Sequence, residues 1–250
     1  MILGKIVHKI RKKIDLYFFK KEFKRDSENV FINCLIMQQL DKLEVIASMG
    51  YNFNIALTSQ MHLRDMLPIN ICAQYQLKQS LEFLLSHGVS LASRDVNNRS
   101  FLMFCIIFSR DKSFDFLDYI LKKDVDVLHR DYDSKNALCY LYRCDEPLRL
   151  LKVLLEKGAN VRQDIGENRN FLDFFLEYYN KKMKESARQK MQEVGIFLLD
   201  VMTLEELKKY LKINSVEICR KAQVLIDRYS VEGKLSSIDS NKSEKKSFKL

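Results

Sequence analysis

Six cysteines and four histidines are the residues best suited to nucleophilic, redox or metal chemistry in this chain. Cys34, Cys72, Cys105, Cys139, Cys144 and Cys219 form no C-x-x-C pair, and no histidine stands at zinc-finger spacing from them. With 47% hydrophobic residues the chain does not need a disulfide scaffold, so the thiols read as reduced and buried in an intracellular protein. His8 falls in a basic leader, His62 and His129 in connectors, and His87 just before Gly88. They read as solvated turn residues, because base or ligand work needs partners that these positions do not bring. The phosphate-loop, dinucleotide, zinc-protease and nucleophile-elbow motifs are all missing, and the acidic residues are scattered. The expectation is a protein without catalytic function, cofactor or metal.

The elements that would position any site are helical by composition. Among 250 residues only 7 are Gly and 2 Pro, too few for the special turns of sandwiches, barrels or dinucleotide folds. The formal charge is +9, from 42 Lys+Arg and 33 Asp+Glu, but it is concentrated. Residues 1–25 hold nine basic side chains (Lys5, Lys9, Arg11, Lys12, Lys13, Lys20, Lys21, Lys24, Arg25) against Asp15 and Glu22. The last twenty residues carry five basic and three acidic groups, which leaves 26–230 neutral overall. Any field that attracts an anionic partner therefore arises from the leader. Charges interrupt every candidate signal-peptide core, and no apolar run reaches the roughly 18 residues of a membrane span, so a soluble cytoplasmic protein is expected.

Self-similarity organises the middle of the chain. KLEVIASMGYNFN (42–54), SLEFLLSHGVSLA (80–92), FLDYILKKDVDVL (116–128) and LLKVLLEKGANVR (150–162) each join an amphipathic stripe to a short break. The breaks at Gly50, Gly88, Asp124 and Gly158 recur at intervals of 38, 36 and 34. Glycine there suits a left-handed helix end, and Asp124 is expected to tolerate the same conformation. A shorter helical stretch precedes each, at 30–37, 67–74, 100–107 and 136–143, and another lies at 170–177. Cys34, Cys72, Ala73 and Cys105 put small groups where paired helices come close. RDVNNR (94–99), RDYDSK (130–135) and QDIGENR (163–169) have the composition of tight turns.

This pattern resembles the ankyrin repeat, a helix pair with a projecting turn at about 33 residues per unit. The segment 67–95 is similar to the family's T-P-L-H-x-A helix followed by its L-L-x-x-G-A-D helix, and KVLLEKGANV (152–161) is closer still to the latter. Only Pro68 keeps the family's proline, and no copy keeps the complete T-P-L-H. The expected fold is an all-α solenoid of about five helix pairs over 29–202. A basic amphipathic helix (1–28) precedes it, and capping helices (203–230) and a disordered polar tail (231–250) follow. Thr203 with Glu206, and Asn214 with Glu217, have capping-box spacing. The fifth pair reads as lengthened or interrupted near 180–190.

The resemblance implies non-catalytic binding of another protein on a concave face made of turn tips and first helices. Position by position this selects Gln74 and Tyr75, then Arg94, Val96, Asn97, Arg99, Ile107 and Phe108. Next come Arg130, Tyr132, Asp133, Lys135 and Arg143, and then Asp164, Glu167, Arg169, Glu177 and Tyr178. The leader offers a different function. Ile2, Leu3, Ile6, Val7, Ile10, Ile14 and Tyr17 follow helical spacing among its lysines. It reads as a cap packed on the first repeat, as a helix on an anionic membrane or an acidic partner, or as a nucleic-acid arm. The last lacks an Arg/Gly or aromatic ladder.

Overall fold

A computed structural model describes residues 2–58, 65–109, 114–181 and 185–230; His62 and the polar tail 231–250 lie outside these. Among the described residues the chain is all-helical, and the one isolated β-bridge joins Arg94 to Ser100. The chain divides into two compact units, Met1–Arg143 and Cys144–Leu250.

The first unit opens with α1 (Ile2–Arg25), followed by α2 (Ser27–Ile36) and α3 (Leu40–Ser48). Asp26 starts α2 by accepting the Asn29 N–H, which satisfies a donor the helix itself leaves open. Then come α4 (Pro68–Tyr75), α5 (Lys78–Ser86), α6 (Phe101–Ile107), α7 (Asp115–Leu121) and a 3-10 helix at Ala137–Arg143. Within pairs, α2 packs on α3, α4 on α5 and α6 on α7. Between pairs, α2 packs on α4, α4 on α6 and α6 on the 3-10 helix, while α3 packs on α5. First helices thus meet first helices in succession, and of the second helices α3 packs on α5 while Lys78 of α5 lies over the Tyr119 ring of α7.

The apolar stripes explain that arrangement. Phe31, Ile32, Leu35, Ile69, Ile71, Cys72, Phe101, Met103 and Ile106 come from both sides of short helices, and all are buried. A helix seven to ten residues long with two apolar sides needs a neighbour on each. Cys34, Cys72, Ala73 and Cys105 are buried in this layer. An aromatic series runs across the pairs, with Phe53 5.5 Å from both Phe31 and Phe83. Tyr51 joins it 4.8 Å from Phe31; burial, and then the Glu28 carboxylate, push its hydroxyl up to about 12. Buried Ser80 donates to the Leu35 carbonyl at 2.6 Å, so α5 is tied to α2 by a polar bond as well.

The helix ends follow the expected register, with one exception. Gly50, Gly88 and Gly158 have φ of 78°, 83° and 92°, the left-handed region where a Cβ would be strained. After Gly88 the Val89 N–H reaches back to the Leu84 carbonyl, and after Gly158 that of Ala159 reaches Leu154. Two residues beyond each break, Asn52, Ser90, Asp126 and Asn160 accept the N–H two positions on. Asp124 does not adopt the left-handed conformation expected of it. Without glycine, α7 stops at Leu121, and Lys122 and Lys123 close the turn by bonding Asp118 and Ile120 carbonyls. The fourth first-helix is also altered. Asn136 takes the Leu138 N–H on its side chain and the Cys139 N–H on its carbonyl, which gives the tighter 3-10 winding.

The second unit holds α8 (Pro147–Glu156), α9 (Phe171–Lys181), α10 (Glu185–Leu199), α11 (Leu204–Tyr210) and α12 (216–230). Both α8 and α9 pack on α10. Gly195 lies inside α10, where an added Cβ would stand 2.6 Å from Ile218 Cδ1 and 3.1 Å from Phe175 Cζ. Its value is close approach of the helices rather than a helix break. Thr203 and Glu206 form the expected capping box of α11. The second cap is one residue later than its spacing suggested: Ser215, not Asn214, accepts the Ile218 N–H. Glu217 instead accepts from Gln192, and the Asn214 N–H bonds the Asn180 side chain at 2.6 Å.

Candidate functional site

Two connectors in the first unit share one internal geometry. In 94–99 the Asp95 N–H bonds the Arg99 carbonyl, and the Asp95 carboxylate accepts the N–H groups of Asn97 at 3.0 Å and Arg99 at 2.6 Å. In 130–135 the Asp131 N–H bonds the Lys135 carbonyl at 2.9 Å, and the Asp131 carboxylate accepts the Lys135 N–H at 2.9 Å. Asn98 and Ser134 take the left-handed position of the two turns. A carboxylate that receives several N–H donors replaces the pairing a longer hairpin would supply. Asp131 also accepts the Tyr140 hydroxyl. Burial, and then that bond, push Tyr140 far above its ordinary range, so it remains a donor.

The connectors are joined to each other. The Tyr132 N–H donates to the Asn97 carbonyl at 3.1 Å, and the Asn98 side chain donates to the Arg130 carbonyl at 3.0 Å. His129 Nε2 lies 2.6 Å from the Asn98 carbonyl. The histidine expected to be a solvated turn residue thus ties two turns together. His87 is committed as well, with Nδ1 2.9 Å from the Phe83 carbonyl and its ring tilted against that of Phe83 at 4.1 Å. Ser100, Asn136 and Asn170 close the three connectors and cap the helices that follow. Their intervals of 36 and 34 are a repeat signal that the apolar register alone does not show.

The candidate partner-binding residues divide by what already holds them. Val96 is 61% exposed and Tyr132 76%, each at the tip of a turn, with Asn97 and Asp133 exposed beside them. Arg99 is drawn inward by Asp95 at 2.7 Å and lies over the Phe104 ring. Arg94 bonds the Ala92 carbonyl and pairs with Asp126 at 3.6 Å. Lys135 pairs with Asp133 at 2.8 Å; this raises the ammonium against the opposing effect of burial and lowers the carboxyl. Tyr75 is exposed at the end of α4 and Gln74 is half-buried. Ile107 and Phe108 are half-buried at the end of α6, with Phe108 stacked on Phe104. Arg130 and Arg143 are exposed, the latter over the Tyr142 ring.

In the second unit the connector 163–169 departs from the other two. Ile165, which is buried, stands where Asp95 and Asp131 stand, so no carboxylate can take the Arg169 N–H. The Ile165 N–H still bonds the Arg169 carbonyl at 2.8 Å, but the Arg169 N–H turns to the Gly166 carbonyl. Gly166, Glu167 and Asn168 all take positive φ. Arg169 pairs with Glu167 at 2.9 Å and Glu177 at 3.2 Å, and Tyr178 stacks on Phe174. Asp164 is exposed and accepts the Gly166 N–H.

Cys34, Cys72, Cys105, Cys139 and Cys144 are buried, and burial holds the Cys72 and Cys105 thiols well above their ordinary range. Cys219 is partly exposed and donates to the Ile213 carbonyl at 3.2 Å, closing the end of α11. Among the described residues no group of three His, Cys, Asp or Glu side chains is placed to hold a metal ion. No family model matches the chain, and no curated protein matches it significantly.

Proposed function

We propose that this chain is a non-catalytic protein-recognition module, an ankyrin-type array of about five helix pairs whose turn tips and first helices take up a partner protein. One observation carries the reading: two adjacent connectors, hydrogen-bonded to each other, hold Val96 and Tyr132 out into solvent on buried or half-buried Asp95 and Asp131. Order is costly to impose at an interface, and a loop already fixed by its own hydrogen bonds avoids much of that cost. Tyrosine at such a tip supplies a large, rigid contact with only two side-chain torsions. The recurring first-to-first helix packing, with α3 on α5 beside it, supports the ankyrin-type reading of the scaffold.

The cationic candidates contribute less in this reading than the apolar tips. Arg94, Arg99, Lys135 and Arg169 each have a carboxylate within 4 Å, so a partner would have to displace or share it. The test is a photo-crosslinking residue placed at position 132 or 96 in the full chain, with position 82 on α5 as the comparison. The reading requires a partner protein crosslinked from 132 and 96 and not from 82. Capture from 82 alone would overturn it.

A further inference from the structure

The two faces of α1 are occupied differently. Phe23 is buried and Phe19 half-buried under Lys42, so one face of the helix end packs into the first unit, where α1 meets α2. Positions 14, 17 and 18 fall on the opposite face, and there Ile14 is 50%, Tyr17 65% and Phe18 60% exposed. Every described side chain from Lys12 to Phe18 is exposed. The expected cap, with its stripe packed on the first repeat, is therefore not what Ile14 and Tyr17 form. The sequence continues their register upstream, because positions 3, 7, 10, 14 and 17 are spaced 4-3-4-3 and hold Leu3, Val7, Ile10, Ile14 and Tyr17. Lys13, Lys20 and Lys24 are exposed in one row on the neighbouring face.

From this juxtaposition we infer that α1 is a membrane-surface helix, which seats its outward apolar stripe at the headgroup boundary of an anionic bilayer while its lysines meet the lipid anions. An anionic bilayer uses the stripe and the cations together. Nucleic acid would engage the lysines and leave Ile14, Tyr17 and Phe18 in water. A second copy of the helix is disfavoured by charge. The 4-3 spacing could serve a coiled-coil seam, but it puts Arg11, Lys13 and Lys20 at flanking positions and Lys21 on the seam, so two copies would face each other with like charges. Among the described residues no helix is long and apolar enough to cross a membrane, so attachment here is peripheral. This inference does not depend on the turn-tip reading.

Flotation of the full chain with phosphatidylcholine vesicles, with and without about a third phosphatidylserine, tests it. Strong binding to the anionic vesicles is expected, with at least about tenfold weaker binding to the neutral ones, because each basic residue near an anionic surface contributes about 1 kcal/mol. Two triple variants leave the core untouched: Ile14→Ser/Tyr17→Ser/Phe18→Ser and Lys13→Gln/Lys20→Gln/Lys24→Gln. Each should lose about a hundredfold in partitioning with an unchanged melting transition. Failure of the wild-type chain to float with anionic vesicles would overturn the inference. So would wild-type-like flotation of the apolar triple. A wild-type dimer that the apolar triple converts to monomer without lipid would also overturn it, since a second copy would then cover the stripe.

Discussion

Replacing Asp131 with Ala removes the acceptor of the Lys135 N–H and of the Tyr140 hydroxyl. Asp131 is 7% exposed, so water does not readily replace it. A hydrogen bond to a charged group contributes about 1.5–3 kcal/mol, and two are lost, one from a partly solvated donor. The expected cost is about 3 kcal/mol. Tyr140→Phe removes only the second bond and should cost about 1.5 kcal/mol. In the double variant that bond is already gone, so the total should stay near 3 kcal/mol and fall short of additivity by about 1.5 kcal/mol. Lys135 keeps its side-chain pair with Asp133 in all three variants, which isolates the turn from that contact. Urea denaturation of the full chain, followed by circular dichroism, measures the cycle. An Asp131→Ala cost below about 1 kcal/mol, or simple addition of the two substitutions, would refute the role assigned to this carboxylate.

Two further outcomes concern Glu206 and the thiols. Arg162 binds Glu206 through two nitrogens, at 3.1 and 2.8 Å, and the Thr203 N–H adds 2.8 Å. Burial opposes the charge of Glu206, but these donors outweigh it and hold the carboxyl below its usual value near 4.5. Its contribution should thus be complete above that value and fade as pH falls through the lower folded-state value. Glu206→Gln should cost about 1 kcal/mol at pH 7, since the pair is partly screened, and little near pH 2; denaturation at both pH values checks it. With a thiol reagent on the native protein, Cys219 should label first, and Cys72 and Cys105 only after denaturant is added. Mass spectrometry of the labelled peptides would expose the opposite order.

What could be read in advance depended on how local the cause was. The Gly50, Gly88 and Gly158 helix ends and the Thr203 box follow from a residue type and its immediate neighbours, and the structure has them where the spacing puts them. Asp124 failed for an equally local reason, because a helix end can close without the left-handed residue and Asp supplies it only at a cost. Gly195 was not legible, since its role comes from Ile218 and Phe175, distant in sequence, and the shift of the last cap from Asn214 to Ser215 goes with a bond from the Asn214 N–H to distant Asn180. The same holds for the candidate surface. RDVNNR and RDYDSK identified two turns, but not that Asp95 would draw Arg99 inward while Asp131 left Tyr132 outside. The leader's apolar spacing was visible, whereas its division into a packed face at Phe23 and an open face at Ile14 needed α2 in place.

Recognition by the turn tips sets the affinity of the crosslinked partner for a full chain carrying Val96→Ser and Tyr132→Ala, titrated beside the wild type. Both side chains are exposed, so the variant should melt as the wild type does. Loss of two apolar contacts at turn tips should weaken binding by at least about tenfold, equivalent to 1.4 kcal/mol, at low and high salt alike. Unchanged affinity in the folded variant would contradict recognition by these tips. That result, together with loss of binding on removing residues 1–18 ahead of buried Phe23, would assign partner contact to the leader.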